Sequence, residues 1–383
     1  MSVLTGTRTT PGWATWAPGP RPAAPWTVGI EEEVMLLDPR DCSLASRVDA
    51  VMAAAAPELA PHLAQETHGS AVELATDPHE SVPGAIEELT RLRGQLEGTL
   101  RGLGLAGAAA GTHPFATWQE IHVSAGERQQ QVHHSMRELA RREPTFALHV
   151  HVAVPDPEDA MRAMNRMRAH VPLLLALSAN SPFWQGRDSG LASARVPLFG
   201  AFPRSGLPRA FASYGELVET TDLLIRCGAF PEPTFIWWDL RLQPRYGTLE
   251  VRVMDAQSRI VATAALVALV QALVRIETEE DGGLAPRSLV DAPEVLEENR
   301  FLALRDGTEA HLLDPDRGGT VGVPELLERV LETVAPVAAS LGSARALHGI
   351  EDLVAFPGPA RQRAAARGPR GLISLVNDLI DAF

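Results

Sequence analysis

The chain reads as an α+β protein, a sheet covered by helices on one face and polar on the other. Three observations predict this. Four short segments alternate apolar and polar residues at strand period; amphipathic helical segments separate them; and the longest apolar run, "IVATAALVALVQALVRI" (260–276), is interrupted by Gln271 and Arg275 and so reads as a buried helix.

Composition narrows the class. The chain has 383 residues, 45% hydrophobic and 21% charged, enough to bury a sizeable core in a soluble protein. Residues 1–25, rich in Thr, Pro, Gly and Ala, lack the continuous apolar core of a secretory signal and read as a disordered cytoplasmic leader. No convincing domain break follows, so residues 26–383 read as one domain, mostly helical from about 287; the Gly-rich turn at 281–287 is the best boundary candidate. Cys42 and Cys227 give neither metal spacing nor a disulfide framework, which suits a reducing, cytoplasmic compartment. A net charge of −14 argues against a nucleic-acid surface. All 34 basic residues are arginine, so there is no P-loop lysine, and phosphate chemistry here must rest on arginine, metal ions and backbone amides.

Taken in order, 26–38 alternates as a strand and 43–64 reads as a helix ending near Pro61. "SAVELAT" (70–76) is a strand, 81–104 an amphipathic helix with Pro near its start, and 105–112 a further strand closed by Thr112-His113-Pro114. A helix at 129–143 precedes the strand "FALHVHVAV" (146–154). Helices at 157–169 and 171–179 end at Asn180-Ser181-Pro182. Residues 182–213, heavy in Gly, Pro, Arg and Phe, are long for an idle connection and read as a substrate lid. Strands at 234–242 and 248–254 and a helix at about 257–278 follow.

Four of these strands share one design. In "TVGIEEEVML", Gly29, Glu31 and Glu33 fall on one face, while Val28, Ile30, Glu32 and Val34 fall on the other. Glu73 stands opposite Val72 and Leu74; His149 and His151 stand opposite Leu148, Val150 and Val152; Glu250 and Arg252 stand opposite Leu249, Val251 and Val253. If these strands share a sheet, its polar face gathers carboxylates that raise one another's pKa unless cations neutralise them. Hard divalent ions with oxygen ligands do so, and Mg²⁺ shares such sites with substrate phosphates. Arg252 beside Glu250 suits an oxygen of a transferring phosphoryl group.

In the order in which they occur, "GIEEEVMLLDP", "SAVELAT", "GTHPFATW", "HVHVAV", "LLALSANSPFWQGRDSGLASARVPLF", "WWDLRLQPRYGTLEVRVMD" and "ENRFLALRDG" resemble the type 2 branch of glutamate–cysteine ligase, a family of bacterial carboxylate–amine ligases. The resemblance covers roughly residues 27–310, and "GPARQRAAARG" is similar to the family's end segment. It implies a glutamine-synthetase-like catalytic domain, whose curved antiparallel sheet is the active-site floor with helices on its back. It implies ATP and Mg²⁺ as cofactors: ATP phosphorylates a carboxylate, the γ-carboxyl of glutamate in the family's usual case, and an amine displaces phosphate to give an amide. By motif, Glu31, Glu33, Glu73, His149 and Glu250 are the implied metal ligands, and Arg252, Glu31 and Glu73 the implied catalytic residues. Arg241 and Arg245 are implied at nucleotide or acyl phosphate, and Arg195 at a substrate carboxylate unless it only pins its loop. His113, Asn299 and Arg305 are implied pocket residues. His151 either joins His149 or stands behind it.

The chain departs from the pattern at Ala147 and Leu148, near a position where relatives carry Gly, and at "ERQQQVHHS", where they carry an Arg-Tyr pair near the amino-acid substrate. The expected partners are small-molecule amino acid and amine substrates, not nucleic acid or membrane, and the expected assembly is a homo-oligomer, a dimer. A metal-dependent hydrolase built on the same carboxylates, and a degenerate nucleotide-binding regulatory protein, are the rival expectations.

Overall fold

The alternating segments pair with one another. In the computed structural model, which describes residues 10–17, 24–142, 144–280 and 283–383, seven strands form one antiparallel sheet. They are β1 (Val28–Leu37), β2 (Leu63–Gln65), β3 (Ala71–Ala75), β4 (Ala106–Ala108), β5 (Ala147–Ala153), β6 (Leu240–Gln243) and β7 (Thr248–Asp255). Their order is β6-β7-β5-β1-β3-β2, and β4 pairs with the last residues of β1.

Directly opposed residues of antiparallel strands share a face, so the register decides what meets what. Glu31 lies opposite both Ala75 and His149, Glu33 opposite Glu73, and His151 opposite both Gly29 and Glu250. Arg241 lies opposite Glu250. The other face carries Val28, Ile30, Val34, Val72, Leu74, Leu148, Val150, Val152, Leu249 and Val251, all buried.

Helices cover that apolar face. α1 (Val82–Gly102) begins with Ser81 capping the Gly84 amide and Pro83 in its first turn, and buries a stripe of Val82, Ala85, Leu89, Leu92, Leu96 and Leu100. α2 (Glu127–Met136) lies elsewhere, over the polar face. α3 (Pro157–Met167), α4 (Val171–Ser178) and α5 (Ile260–Glu277) complete the backing layer, with α5 packed on β1, β5, α1 and α3. α5 is long and apolar enough to cross a membrane, but 83% of it is buried inside the protein, where a helix apolar on every side belongs. Beyond it, α6 (Pro293–Asp306) packs on α4, and His311–Asp314 forms a hairpin with Gly319–Gly322.

Glu32 points into this helical layer, where Arg93 of α1 holds it in a fork of 2.8 and 2.5 Å. Arg93 also donates to the Gln257 and Ser258 carbonyls, so the buried charge pair is fully engaged.

Several expectations need correction. The helix expected at 43–64 stops at Ala54, because Pro57 and Pro61 break it, and its end becomes β2. The strand expected from 234 starts as a 3₁₀ turn at Pro233–Phe235, and β6 begins only at Leu240. The leader is not wholly loose. Trp16 donates to the Val154 carbonyl (2.9 Å) and meets Tyr214 edge-on, Tyr214 donates to the Ala14 carbonyl (2.7 Å), and Ala17 donates to the Pro244 carbonyl (2.7 Å). Two tryptophans bury enough apolar surface to order a stretch whose overall composition suggests a coil. Gly247, at φ +67°, makes room for this strap: a Cβ there would lie 2.8 Å from the Ala17 Cβ. The rest of the leader, residues 1–9 and 18–23, and two residues of the expected boundary turn, 281 and 282, lie outside the described residues.

Residues 182–213 are tied down in several places. Asp255 accepts from the Ser181 and Ser193 hydroxyls and the Asn180 amide (2.6, 2.9 and 2.8 Å), while Ser205–Gly206 pairs with Trp237–Trp238.

Candidate active site

The polar face of the sheet is the floor of a cleft of about 860 Å³. β1 contributes Glu31 and Glu33, β3 Glu73, β5 His149, β6 Arg241 and β7 Arg252, while Glu66 enters from the turn after β2. The opposite wall is α2 with Arg128, Gln129, Val132 and Met136, together with Phe199, Phe202 and Trp237. The N-terminal strap adds Gly12, Trp13 and Thr15 at one mouth, beside Arg245 and Tyr246 of the β6–β7 turn.

Two carboxylate groupings emerge. Ligand atoms of Glu31, Glu73 and His149 lie within 4.8 Å of one another, and so do those of Glu33, Glu66 and Glu73. His149 Nδ1 is 3.2 Å from Glu31, and its Nε2 is 3.9 Å from Glu33. Glu33 also accepts from the Ala147 amide at 2.7 Å.

Burial and crowding split the titrations. Burial pushes Glu73 well above the usual carboxylate range, and the neighbouring Glu31, Glu66 and Glu33 push it further. Glu66 and Glu33 are raised, chiefly by burial. Burial would raise Glu31 too, but His151 and hydrogen bonds with both histidines overcome it and hold Glu31 well below the usual range. His149 is lowered by burial and by Arg252, which keeps a neutral ring able to offer a lone pair. Burial would lower His151, but Glu31 and Glu250 raise it.

These residues fit a divalent cation. Buried carboxylate oxygens converge with one imidazole, and the upward shifts of Glu73 and Glu66 mark a crowding of carboxyl groups that the protein itself does not neutralise. Glu250 fits differently from the expectation. It groups with Glu31 and His151 within 4.8 Å, yet it is fully buried and its two oxygens accept from Arg241 (2.8 and 3.0 Å), Gln243 (3.2 Å) and Arg252. Four donors fill a carboxylate's lone pairs, so Glu250 organises arginines. Burial opposes its ionisation, but Arg241 and Arg252 outweigh that and hold it far below the usual range.

Arg195 lines the cleft, but its guanidinium is turned to the backbone: it donates to the Val253 and Arg252 carbonyls at 3.0 and 3.2 Å, with Asp255 4.0 Å away. The pairing of β7 with β5 slips between Val251 and Met254, and Arg195 supplies donors to the two carbonyls in that bulge. Three expected pocket residues are not brought into the cleft. His113, lowered to about 4 by burial, donates to the Cys42 carbonyl at 2.8 Å and accepts from the Ala116 amide. Asn299 bonds both backbone groups of Leu313. Arg305 is exposed, paired with Asp306 at 2.6 Å. His113 secures a loop, Asn299 ties its helix to the hairpin strand, and Arg305 pairs with its own neighbour. Glu66 was missed because its segment, "LAQETHG", reads as the end of a helix; the signal was an acid just ahead of the Glu73 strand, with which β2 pairs.

The fold has known counterparts. A crystal structure of glutamate–cysteine ligase from Francisella tularensis in complex with AMP superposes with a TM-score of 0.65 at 13% identity, covering 93% of this chain and 88% of that one. A bifunctional glutathione synthetase from Pasteurella multocida gives 0.67 at 15% identity, over 93% of this chain and 52% of that one. The antiparallel sheet with its helical backing is the fold shared with these two structures. Sequence goes further. Residues 27–368 match Glutamate-cysteine ligase family 2 (GCS2). Two Rubrobacter xylanophilus proteins, provisionally named glutamate–cysteine ligases 2-1 and 2-3, are 37% and 39% identical over 93% and 94% of this chain and 94% and 97% of their own. The chain belongs to glutamate–cysteine ligase family 2 and is a carboxylate–amine ligase.

Proposed function

We propose that the protein uses ATP and Mg²⁺ to join a carboxylate, most simply the γ-carboxyl of glutamate, to an amine through an acyl phosphate. The carrying observation is the single polar face on which Glu31, Glu33, Glu66, Glu73 and His149 converge beside Arg252 and Arg241. AMP in the Francisella ligase supports a nucleotide in the corresponding cleft. Glu31, Glu33, Glu73 and His149, with Glu66, would hold Mg²⁺, which supplies charge neutralisation for phosphate oxygens.

The chain's own residues do the rest. Arg252, held against Glu250, offers planar donors to the transferring phosphoryl group, and Arg241 braces the same carboxylate while also donating to the Thr234 and Ile236 carbonyls. A donor carboxylate oxygen bonds to the γ-phosphorus as the bond to ADP breaks. The amine nitrogen then bonds to the acyl carbon, phosphate leaves with that oxygen, and the amine sheds its extra proton. Among the described residues no lysine or cysteine is placed to carry the acyl group: the sequence has no lysine, Cys42 is buried with its thiol raised by burial, and Cys227 is exposed and outside the cleft.

The test is an assay of ADP release with Mg-ATP across amino acid donors and amines, using an ¹⁸O-labelled donor carboxylate. ADP release that needs both donor and Mg²⁺, with ¹⁸O appearing in phosphate, is the expected result. Amide formed while phosphate stays free of label would overturn the acyl phosphate.

A further inference from the structure

We infer that the accepted amine has an apolar body and no carboxylate: an aralkyl or alkyl amine rather than cysteine. This rests on the ligase reading and names its acceptor.

The wall opposite the carboxylates carries an apolar patch, beside which Arg128 is paired with Glu232 and Gln129 donates to the Gln65 carbonyl. α2 turns Val132 and Met136, four residues apart, into the cleft, and both are more than nine-tenths buried. Facing them is an aromatic run in which Phe199 meets Phe202 at 5.4 Å and Phe202 meets Trp237 at 6.2 Å between ring centres. Such a wall removes an alkyl or aryl group from water and offers a polar one no partner. It is built in part from the segment "ERQQQVHHS" of α2.

Charge points the same way. A carboxylate on the acceptor needs an uncommitted cation, and the arginines here are engaged: Arg241 and Arg252 by Glu250, Arg128 by Glu232, and Arg195 by the bulge carbonyls while it stacks on Phe199 at 5.6 Å. Among the described residues, Arg245 is the cleft arginine without an ion pair. It lies over Tyr246, which stands 6.0 Å from His151, at the strap mouth. The apolar wall adjoins Arg195 and the Glu33 end of the same strands, so Arg245 is at the opposite end.

The experiment uses the full chain with Mg-ATP and its best amino acid donor, and compares kcat/KM for phenethylamine, isoamylamine, ethylamine, phenylalanine and cysteine by ADP release and product mass. Phenethylamine should exceed ethylamine by roughly 100-fold, and should exceed phenylalanine, the same body with a carboxylate, by at least about tenfold. Phe202→Ala should narrow the phenethylamine-to-ethylamine ratio to within a few fold. Phe202→Leu, which disturbs packing less, should narrow it partway. Preference for cysteine or phenylalanine over phenethylamine overturns this inference and leaves the ligase reading standing, and so does an unchanged ratio in both Phe202 variants. No ADP release with any donor and amine overturns the ligase reading itself.

Discussion

Glu31, Glu32 and Glu33 are chemically identical, and the pleat of one strand sends them into different surroundings. Glu31 and Glu33 face the cleft, whereas Glu32 is sealed against Arg93. Their glutamine variants should fail in different ways. Glu31→Gln and Glu33→Gln should fold normally and lose ADP release, because the amide lacks the charge a divalent ion requires. Glu32→Gln strands a buried guanidinium and should lose about 3 kcal/mol of stability, while the molecules that remain folded keep their activity. Denaturant unfolding and ADP release measured on the same preparations separate the two, and equal loss of activity in all three would refute the assignment of faces. Arg252→Lys keeps the charge but not the fork, so its ADP release should fall by at least about 100-fold.

At the scale of elements, the β7 bulge decides where Arg252 points. The pairing with β5 slips there, and Arg195 donates to the Arg252 and Val253 carbonyls. Arg195→Lys cannot bridge them with one ammonium, so kcat should drop by roughly 10- to 100-fold, with less change in KM for ATP. Added guanidinium should partly rescue Arg195→Ala; a loss of thermal stability with kcat intact would mean that the residue only braces the fold. This element also marks the limit of what the sequence discloses. Period-2 alternation identified the shared face of Glu31, Glu33, Glu73, His149 and Glu250, because each strand carries its pattern within a few residues. A bulge has no such signature, so the sequence left Arg195 between a substrate ligand and a residue that pins its loop. Glu66 escaped because it becomes a floor residue only when β2 pairs with β3. Motif likeness put His113, Asn299 and Arg305 in the pocket, whereas their partners are the Cys42 carbonyl, the Leu313 backbone and the Asp306 carboxylate, which a motif does not reveal.

Across the whole molecule, the cleft carboxyls set a pH balance. Glu33, Glu66 and Glu73 have raised values, so their contribution to stability is full below the ordinary glutamate value of 4.5 and is lost as pH rises through their higher folded values. Glu31 and Glu250 are lowered, so theirs is present above that value and lost on acidification. The stability these three groups contribute to the metal-free protein should therefore fall as pH climbs above 4.5, and the rise in Tm produced by Mg²⁺ should grow over the same range as protons cease to compete. A Mg²⁺ effect that shrinks with rising pH would place the ion elsewhere. The strap has a consequence of another kind. It lies ahead of residue 27, where the family match begins, yet it supplies one rim of the cleft and rests on a turn that Gly247 leaves open. A change in the strap would therefore reshape one rim of the entrance while leaving the carboxylate floor as it stands.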